Sequence, residues 1–549
     1  MNRQIYFFVL VTSLFSVQIF TQTLTRTAEI KDPSGLELAF GNIIAGVDFD
    51  QDGMPEIYAV NANIDDRPYE MIARIYKFEW NSNTALWDSV WGAEATLYVP
   101  QQNTYPALTW GDIDKDGKPE IYWGPSNFLD PSINPNPYRV LVYEYPGGGS
   151  NYMGIDDGFG GFEPNAKSQI IVQNNFSVAP IKFVISDPDN DGQDELIFSN
   201  QSAGTNNFHL GILSVDDIPD NGGGLETWTL EYSGLNEPNL TGTGNKWDFV
   251  VVGPFIGLFN ANGKTSLLEY DAGNWVSYPA QSSIAGENSS FKGSVVVNFS
   301  DSSSGAYVGS WYSGKVYLID KPDNADTLVS YEIADFAPYA VRLQGAGVGD
   351  IDNDGNPDLV FGSRYDVLNT AKVPVLRLEY QGGDKKSPSS YEMSIIDSAY
   401  WDNNGDMGVI SVANVDGDAA DEVLYTNQYP RGNPNLGGMP IIVLDLQFTP
   451  VSVEKEDDIV PAQFYLNQNF PNPFNPTTEI KFGITESGNI DLRIFDALGR
   501  EVAVLINNEF MSAGNYNVKY DASNLASGNY IYRMTAGSNT VSKKMQLLK

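Results

Sequence analysis

Oxygen-bearing side chains recur at alternate positions in five acidic stretches: DFDQDGMPE from Asp48, DIDKDGKPE from Asp112, DPDNDGQDE from Asp187, DIDNDGNPD from Asp350 and NVDGDAADE from Asn414. Relative positions one, three, five and nine carry them. The sets are Asp48, Asp50, Asp52 and Glu56; Asp112, Asp114, Asp116 and Glu120; Asp187, Asp189, Asp191 and Glu195; Asp350, Asp352, Asp354 and Asp358; and Asn414, Asp416, Asp418 and Glu422. In four copies a glycine at position six (Gly53, Gly117, Gly192, Gly355) lets the backbone fold back so that the oxygens converge. Two carboxylates about 4 Å apart repel by about 1 kcal/mol in bulk water and about 4 kcal/mol at an effective dielectric of 20. A converged set therefore needs a hard cation. An all-oxygen set of this size suits Ca²⁺ better than Mg²⁺, which keeps several waters. The sequence thus predicts four Ca²⁺ sites and a weaker fifth, where Asn414 and Ala419 replace Asp and Gly. Asp, Asn and Gly also build plain hairpin turns; one copy would leave that reading open, and four strict copies speak against it.

The elements that carry these stretches are legible from their flanks. An EF-hand needs a bidentate Glu at position twelve, which here holds Ala59, Trp123, Phe198, Phe361 and Tyr425. Pro55, Pro119 and Pro357 at position eight disfavour a following helix. Strands follow instead: EIYAV, EIYWG, ELIFS, DLVFG and EVLYT are rich in branched and aromatic residues, and apolar runs such as IIAGV and ALTWG precede the loops. Each copy reads as strand, acidic turn, strand.

The loop starts at 48, 112, 187, 350 and 414 lie 64, 75, 163 and 64 residues apart, so the third gap should hide degenerate units. LFNANGKTSLLEY, from Leu258, and VNFSDSSSGAYVGSW, from Val297, fit the strand frame without a full set of ligands. Seven units result, which predicts an all-β chain led by a seven-bladed β-propeller of four-stranded blades. The last unit is one strand short after PIIVLDLQF, and the segment Leu24 to Lys31 is expected to supply its outer strand.

At this point the loops resemble the FG-GAP or VCBS repeats of integrin-α-like propellers. The resemblance covers roughly residues 24–448. It implies calcium between the first two strands of a blade, locking the blade, with the ligand-binding face elsewhere.

Composition narrows the rest. The 549 residues carry 70 Asp plus Glu against 32 Lys plus Arg, a formal charge of −38, which argues against nucleic acid or an anionic membrane surface as partner. There is no Cys, which excludes disulfides, Fe–S clusters and thiol catalysis. The single His209 leaves little room for an ordinary zinc site. Residues 1–23 combine Arg3 with a polar-broken apolar run from Ile5 to Phe20 and read as a secretory signal peptide. No other stretch reads as a membrane span, so the mature chain is expected outside the cytoplasm.

From residue 449 to 463 the chain turns polar and reads as a linker. Residues 464–549 then alternate as a small immunoglobulin-like β-sandwich of about seven strands. This part holds 8 Lys plus Arg and 7 Asp plus Glu, hence +1, leaving −39 for what precedes it. Four motifs in order, NFPNPFNPTTEIKF, LRIFDALGREV, SGNYIYRM and SKKMQLLK, resemble the type A sorting domain of the type IX secretion system. That resemblance implies passage through the periplasm, the type IX machinery as partner, and a secreted or cell-surface destination.

For the body, the sequence favours a non-enzymatic binding or adhesion module for an extracellular polysaccharide or protein. Trp80, Trp87, Trp91, Trp228, Trp247, Trp275, Trp311 and Trp401 could stack on sugars, although blade cores use such residues too. The alternative is a calcium-dependent polysaccharide lyase or hydrolase, but no carboxylate pair stands out among 70 acidic residues. A Ser-His-Asp arrangement would rest wholly on His209 in the apolar NNFHLGI. GFGG from Gly158 and GGGL from Gly222 lack the helix that a phosphate cradle needs.

Overall fold

Runs rich in branched and aromatic residues form the strands of the computed structural model. It describes residues 24–34, 39–62, 72–81, 84, 86–95, 105–125, 138–170, 178–200, 208–219, 226–240, 246–260, 265–281, 291–322, 326–340, 342–364, 373–398, 407–417, 420–426, 440–446, 452–457, 461, 463–495, 501–522, 527–537 and 539–548. The expected signal peptide lies outside the described residues, as do Asp418 and Trp401.

After β1 (Leu24–Ile30), sheet I holds β2 (Ala39–Val47), β3 (Glu56–Ala62), β4 (Ala73–Asn81) and β5 (Leu86–Ala95) in order. Sheet II holds β6 (Ala107–Gly111), β7 (Glu120–Gly124), β8 (Val140–Glu144) and, beyond a small hairpin of β9 (Ile155–Asp156) and β10 (Phe162–Glu163), β11 (Ala166–Ser168). Sheet III is β12 (Pro180–Ser186), β13 (Glu195–Asn200), β14 (Phe208–Val215) and β15 (Trp228–Leu235). Sheet IV is β16 (Lys246–Val252), β17 (Phe255–Asn260), β18 (Thr265–Asp271) and β19 (Asn274–Gln281). Sheet V is β20 (Phe291–Asn298), β21 (Ser304–Ser310), β22 (Lys315–Asp320) and β23 (Val329–Asp335). Sheet VI is β24 (Leu343–Gly349), β25 (Asp358–Ser363), β26 (Pro374–Tyr380) and β27 (Tyr391–Ser398). Sheet VII is β28 (Val409–Ala413), β29 (Glu422–Thr426) and β30 (Ile441–Leu446), with β1 added outside β30. That last pairing is antiparallel, from Leu24 opposite Leu446 to Ile30 opposite Ile441, as expected for the early segment.

Burial follows position within each sheet. Second strands are closed on both faces: every residue of β3, β7, β13, β25 and β29 is buried. Outer strands such as β15 and β27 alternate exposed and half-buried side chains because one face meets water. Among the described residues, seven apolar clusters fill the spaces between consecutive sheets. One joins Tyr58 and Ile75 of sheet I to Trp123 and Tyr143 of sheet II, and another joins Leu424 and Val443 of sheet VII back to Phe40 and Ile57 of sheet I. The first strands touch in the same succession, β2 to β6, β12, β16, β20, β24 and β28, and from β28 to β2. They line a cavity of about 240 Å³ whose charged members are Lys182 and Asp248, paired at 2.7 Å.

Among its described residues the C-terminal part contains eight strands, seven of them within 464–549 and one before it. They are β31 (Ser452–Asp457), β32 (Tyr465–Leu466), β33 (Thr477–Ile484), β34 (Gly488–Phe495), β35 (Glu501–Met511), β36 (Gly514–Asp521), β37 (Gly528–Ala536) and β38 (Asn539–Leu547). Two sheets, ordered β31-β36-β33-β32 and β35-β34-β37-β38, share one core that includes Phe482, Val518, Leu492 and Tyr532. The expected linker therefore needs correcting, since β31 falls inside it and pairs with β36 from Ser452 opposite Lys519 onward. SVEKED is the margin of its sheet, where charge is tolerated and an apolar rhythm is not required, so its composition resembles a linker's.

A second correction concerns LFNANGKTSLLEY. Its residues 261–264 fall in the chain between β17 and β18, whereas the acidic loops all lie between first and second strands. The matching turn of sheet IV is the tight Val252–Phe255 connection. The Val297 stretch lies at the expected turn, between β20 and β21.

Candidate metal centres

Each acidic loop is built by the same backbone. Position four has a left-handed φ, at Gln51 (57°), Lys115 (60°), Asn190 (57°) and Asn353 (54°), and position six is a glycine at 85–93°. This double bend aims main-chain N–H groups inward. The position-six N–H donates to the first carboxylate: Gly53 to Asp48 Oδ2 at 3.1 Å, Gly117 to Asp112 Oδ2 at 3.1 Å, Gly192 to Asp187 Oδ2 at 3.0 Å and Gly355 to Asp350 Oδ2 at 2.8 Å. The position-seven N–H donates to the position-five carboxylate at 2.7–2.8 Å in all four.

Position nine opens the second strand and is buried: Glu56, Glu120, Glu195 and Asp358 are all 0% exposed. Burial brings these carboxyls under the loop, beside positions one and three. Carboxylate oxygens of Asp48, Asp50 and Glu56 lie within 4.8 Å of one another, as do those of Asp187, Asp189 and Glu195, and of Asp350, Asp352 and Asp358. The loop at 112 adds its position-five residue, giving Asp112, Asp114, Asp116 and Glu120. Asp52 and Asp191 stand outside their groups, while Asp354 groups with Asp352 and Glu379. In the fifth stretch Glu422 is buried and accepts the Val415 N–H at 2.7 Å, but Asp416 is exposed and no such group forms among the described residues.

The loops differ in what neutralises them. At 48, the buried Lys77 ammonium from β4 lies 3.1 Å from Asp50, 3.0 Å from Glu56 and 2.6 Å from Glu79. Arg377 on β26 does the same at 350, reaching Asp352 and Asp358 at 2.7 Å and Glu379 at 3.2 Å. At 112, Lys118 stays at the rim on Asp116 (3.0 Å) and Glu144 (3.3 Å). Two buried oxygens there, Asp112 Oδ1 and Glu120 Oε1, have no hydrogen-bond partner. At 187 both oxygens of Glu195 lack one. The cause is local: position two donates its N–H to the position-nine carboxylate elsewhere, from Phe49 (3.0 Å), Ile113 (3.3 Å) and Ile351 (2.8 Å), and here it is Pro188, which has no N–H. At 350, Asp352 Oδ1 is likewise unpaired.

Electrostatics record these differences. Burial first, then the charges of Asp114 and Asp112, push the Glu120 carboxyl up to about 9. Glu195 also rises to about 9 through burial and its neighbours Glu231 and Asp189. Burial raises Asp358 only to about 7, because Arg377 opposes it, and Lys77 likewise opposes the upward shift of Glu56. Buried, unpaired oxygens with oxygen-only neighbours are the donor set of a hard divalent cation. These groups are able to hold a metal ion.

Lys77, Arg377, Glu79, Glu379 and Glu144 are the participants that loop-centred reading misses. Their signal is present as K-x-E in IYKFEW and R-x-E in VLRLEY, on the third strand of each sheet. Among other sequence candidates, His209 is buried in β14 and Trp91 is packed against Tyr143 at 5.5 Å in the core. Phe159, between the glycines of GFGG, is 95% exposed on the β9–β10 turn.

Comparison with known proteins follows the same division. Residues 43–123 match the FG-GAP-like repeat, covering sheet I and the loops at 48 and 112. Residues 468–547 match the secretion system C-terminal sorting domain. The sorting match indicates export to the cell surface or secretion, and no helix among the described residues is long and apolar enough to cross a membrane. No curated protein matches the chain. Similar solved structures include the N-terminal domain of Nup159, at 10% identity and a TM-score of 0.37, with 77% of this chain and 94% of that chain covered. Sqt1 of Saccharomyces cerevisiae is similar at 9% identity and a TM-score of 0.39, covering 84% and 95%. The computationally designed Ika8 protein is similar at 8% identity and a TM-score of 0.34, covering 76% and 99%.

Proposed function

We propose that the chain is a calcium-binding, seven-bladed β-propeller exported by type IX secretion through an immunoglobulin-like C-terminal domain. Its body is a non-enzymatic binding module for an extracellular polysaccharide or protein. The propeller reading is supported by seven four-stranded sheets, apolar clusters between each and the next, and first strands that surround one cavity.

The observation that carries the functional reading is the placement of the acidic sets. Their position-nine carboxyls lie at 0% exposure beneath the turn between a first and a second strand. An ion there is enclosed by the loop's own oxygens, which suits stiffening of a scaffold rather than attack on a substrate. The turns at the other end of the sheets are left for recognition. There Arg342 and Arg364 flank Trp311 at 5.6 and 5.0 Å, beside Tyr312 (58% exposed) and Tyr339 (52% exposed). Planar rings and guanidinium groups of this kind stack on sugars and hydrogen-bond their substituents.

The test is a glycan and protein array probed with the purified mature chain in calcium and in chelator, run beside a polysaccharide turnover panel. Calcium-dependent retention without new reducing or unsaturated ends is expected. Release of such ends would replace the binding reading with the lyase or hydrolase alternative.

A further inference from the structure

Strand register shows where the internal cations come from. Lys77 on β4 lies opposite Tyr58 on β3, and Arg377 on β26 lies opposite Val360 on β25, in each case two residues past position nine. The same place is Val142, opposite Tyr122, in sheet II and Ile212, opposite Ile197, in sheet III. One register position thus decides whether a buried cation from the third strand reaches the loop; at 112 the half-buried Lys118 lies on position five, Asp116, at 3.0 Å instead. Where it is supplied, it lies on the position-three and position-nine carboxylates together, at 3.1 and 3.0 Å for Lys77 and 2.7 and 2.7 Å for Arg377.

Where it is absent, position-nine carboxylates keep buried oxygens with neither a hydrogen bond nor a cation, Glu120 Oε1 (with Asp112 Oδ1) in one loop and both oxygens of Glu195 in the other, whereas with Arg377 in place the unpaired oxygen at 350 is on position three, Asp352 Oδ1. Glu120 and Glu195 are each 0% exposed, so bulk solvent does not reach them.

From this we infer that the four loops form two classes. Those at 112 and 187 take calcium tightly. Those at 48 and 350 carry a protein cation among the same carboxylates and bind calcium at least about tenfold more weakly, because a fixed positive charge about 3 Å from two ligands repels the incoming ion. The inference rests on the calcium reading above and adds an order of occupancy to it.

Calcium titration of the full mature chain by calorimetry, with equilibrium dialysis for stoichiometry, tests it. Two tight sites are expected. Glu120→Gln and Glu195→Gln should each remove one, and the paired change Asp50→Asn with Asp352→Asn should leave both. Lys77→Met should add a tight site at the first loop. Should that variant fail to fold, Ile212→Lys gives the reciprocal test and should abolish the tight site at 187. Four equivalent sites, or Gln variants that still bind two ions tightly, would overturn the inference while leaving calcium binding intact. No calcium uptake at any loop would remove the calcium reading itself.

Discussion

Chelation should lower the melting temperature of the body by an amount that the loop count sets. An ion bound only by the folded state adds RT ln(1 + [L]/Kd), about 2.7 kcal/mol when free calcium is one hundred times Kd. Two tight loops then contribute about 5.4 kcal/mol. The body runs from Leu24 to Leu446, which is 446 − 24 + 1 = 423 residues. At about 2.1 cal/mol/K per residue its unfolding entropy near 60 °C is about 0.9 kcal/mol/K, so losing both ions costs about 6 °C. Scanning calorimetry in calcium and in EGTA reads this directly. Glu195→Gln should shrink the difference to about 3 °C, since only the loop at 112 then responds, and magnesium should restore less than calcium because it dehydrates reluctantly. Identical melts in calcium and EGTA, or a Glu195→Gln chain that keeps the whole difference, would refute the reasoning.

Further outcomes are expected from the same geometry. Glu120 and Glu195, held near 9 by burial and neighbouring charge, keep their protons in the metal-free fold at pH values where the unfolded chain has released them. The folded state then binds more protons, so stability in EGTA should fall as pH rises from about 4.5 to about 9, more steeply than in the Glu120→Gln, Glu195→Gln double variant; equal slopes would contradict this. Arg26 on β1 grips Asp397 of β27 through Nε (2.8 Å) and Nη2 (3.2 Å), and Tyr425 donates to the same carboxylate at 2.6 Å. Arg26→Ala should cost about 1–3 kcal/mol, or about 1–3 °C, and an unchanged melt would show the clasp to be idle. In the C-terminal part, Phe482 is 0% exposed and stacks on Tyr516 at 5.4 Å; Phe482→Ala should cost about 3–5 kcal/mol, measured by denaturant unfolding of the chain. Deleting residues 452–549 should leave the body in the periplasm, and its normal appearance outside the cell would count against the sorting role.

Local chemistry made much of this legible. DxDxDG spacing announces the loops because the bend needs a glycine and the ion needs alternating oxygens, and both requirements sit within nine residues. The partner of β30 was also readable, because PIIVLDLQF ends one strand short and LTRTAEI, from Leu24, offers an unclaimed one. What stayed hidden depends on register. Lys77 and Arg377 reach their loops only once β3 pairs β4 and β25 pairs β26, and no spacing along the chain encodes that pairing. Sheet IV misled for a related reason: Asn-x-Asn-Gly marks a turn but not which turn, and the true counterpart at Gly253 and Pro254 has no acidic residue to betray it. β31 escaped notice because margin strands carry charge as linkers do.

The pairing of Leu24 with Leu446 also imposes an order on biogenesis. A polypeptide threaded amino end first releases LTRTAEI before anything it can join, and its partner emerges 446 − 24 = 422 positions later. Contacts of such long sequence separation are slow to form. Until then β30 has one vacant flank, and six completed sheets and one incomplete sheet must be kept from annealing to other chains. Trimming a few residues past Leu24 would delete the latch and leave that flank of β30 open.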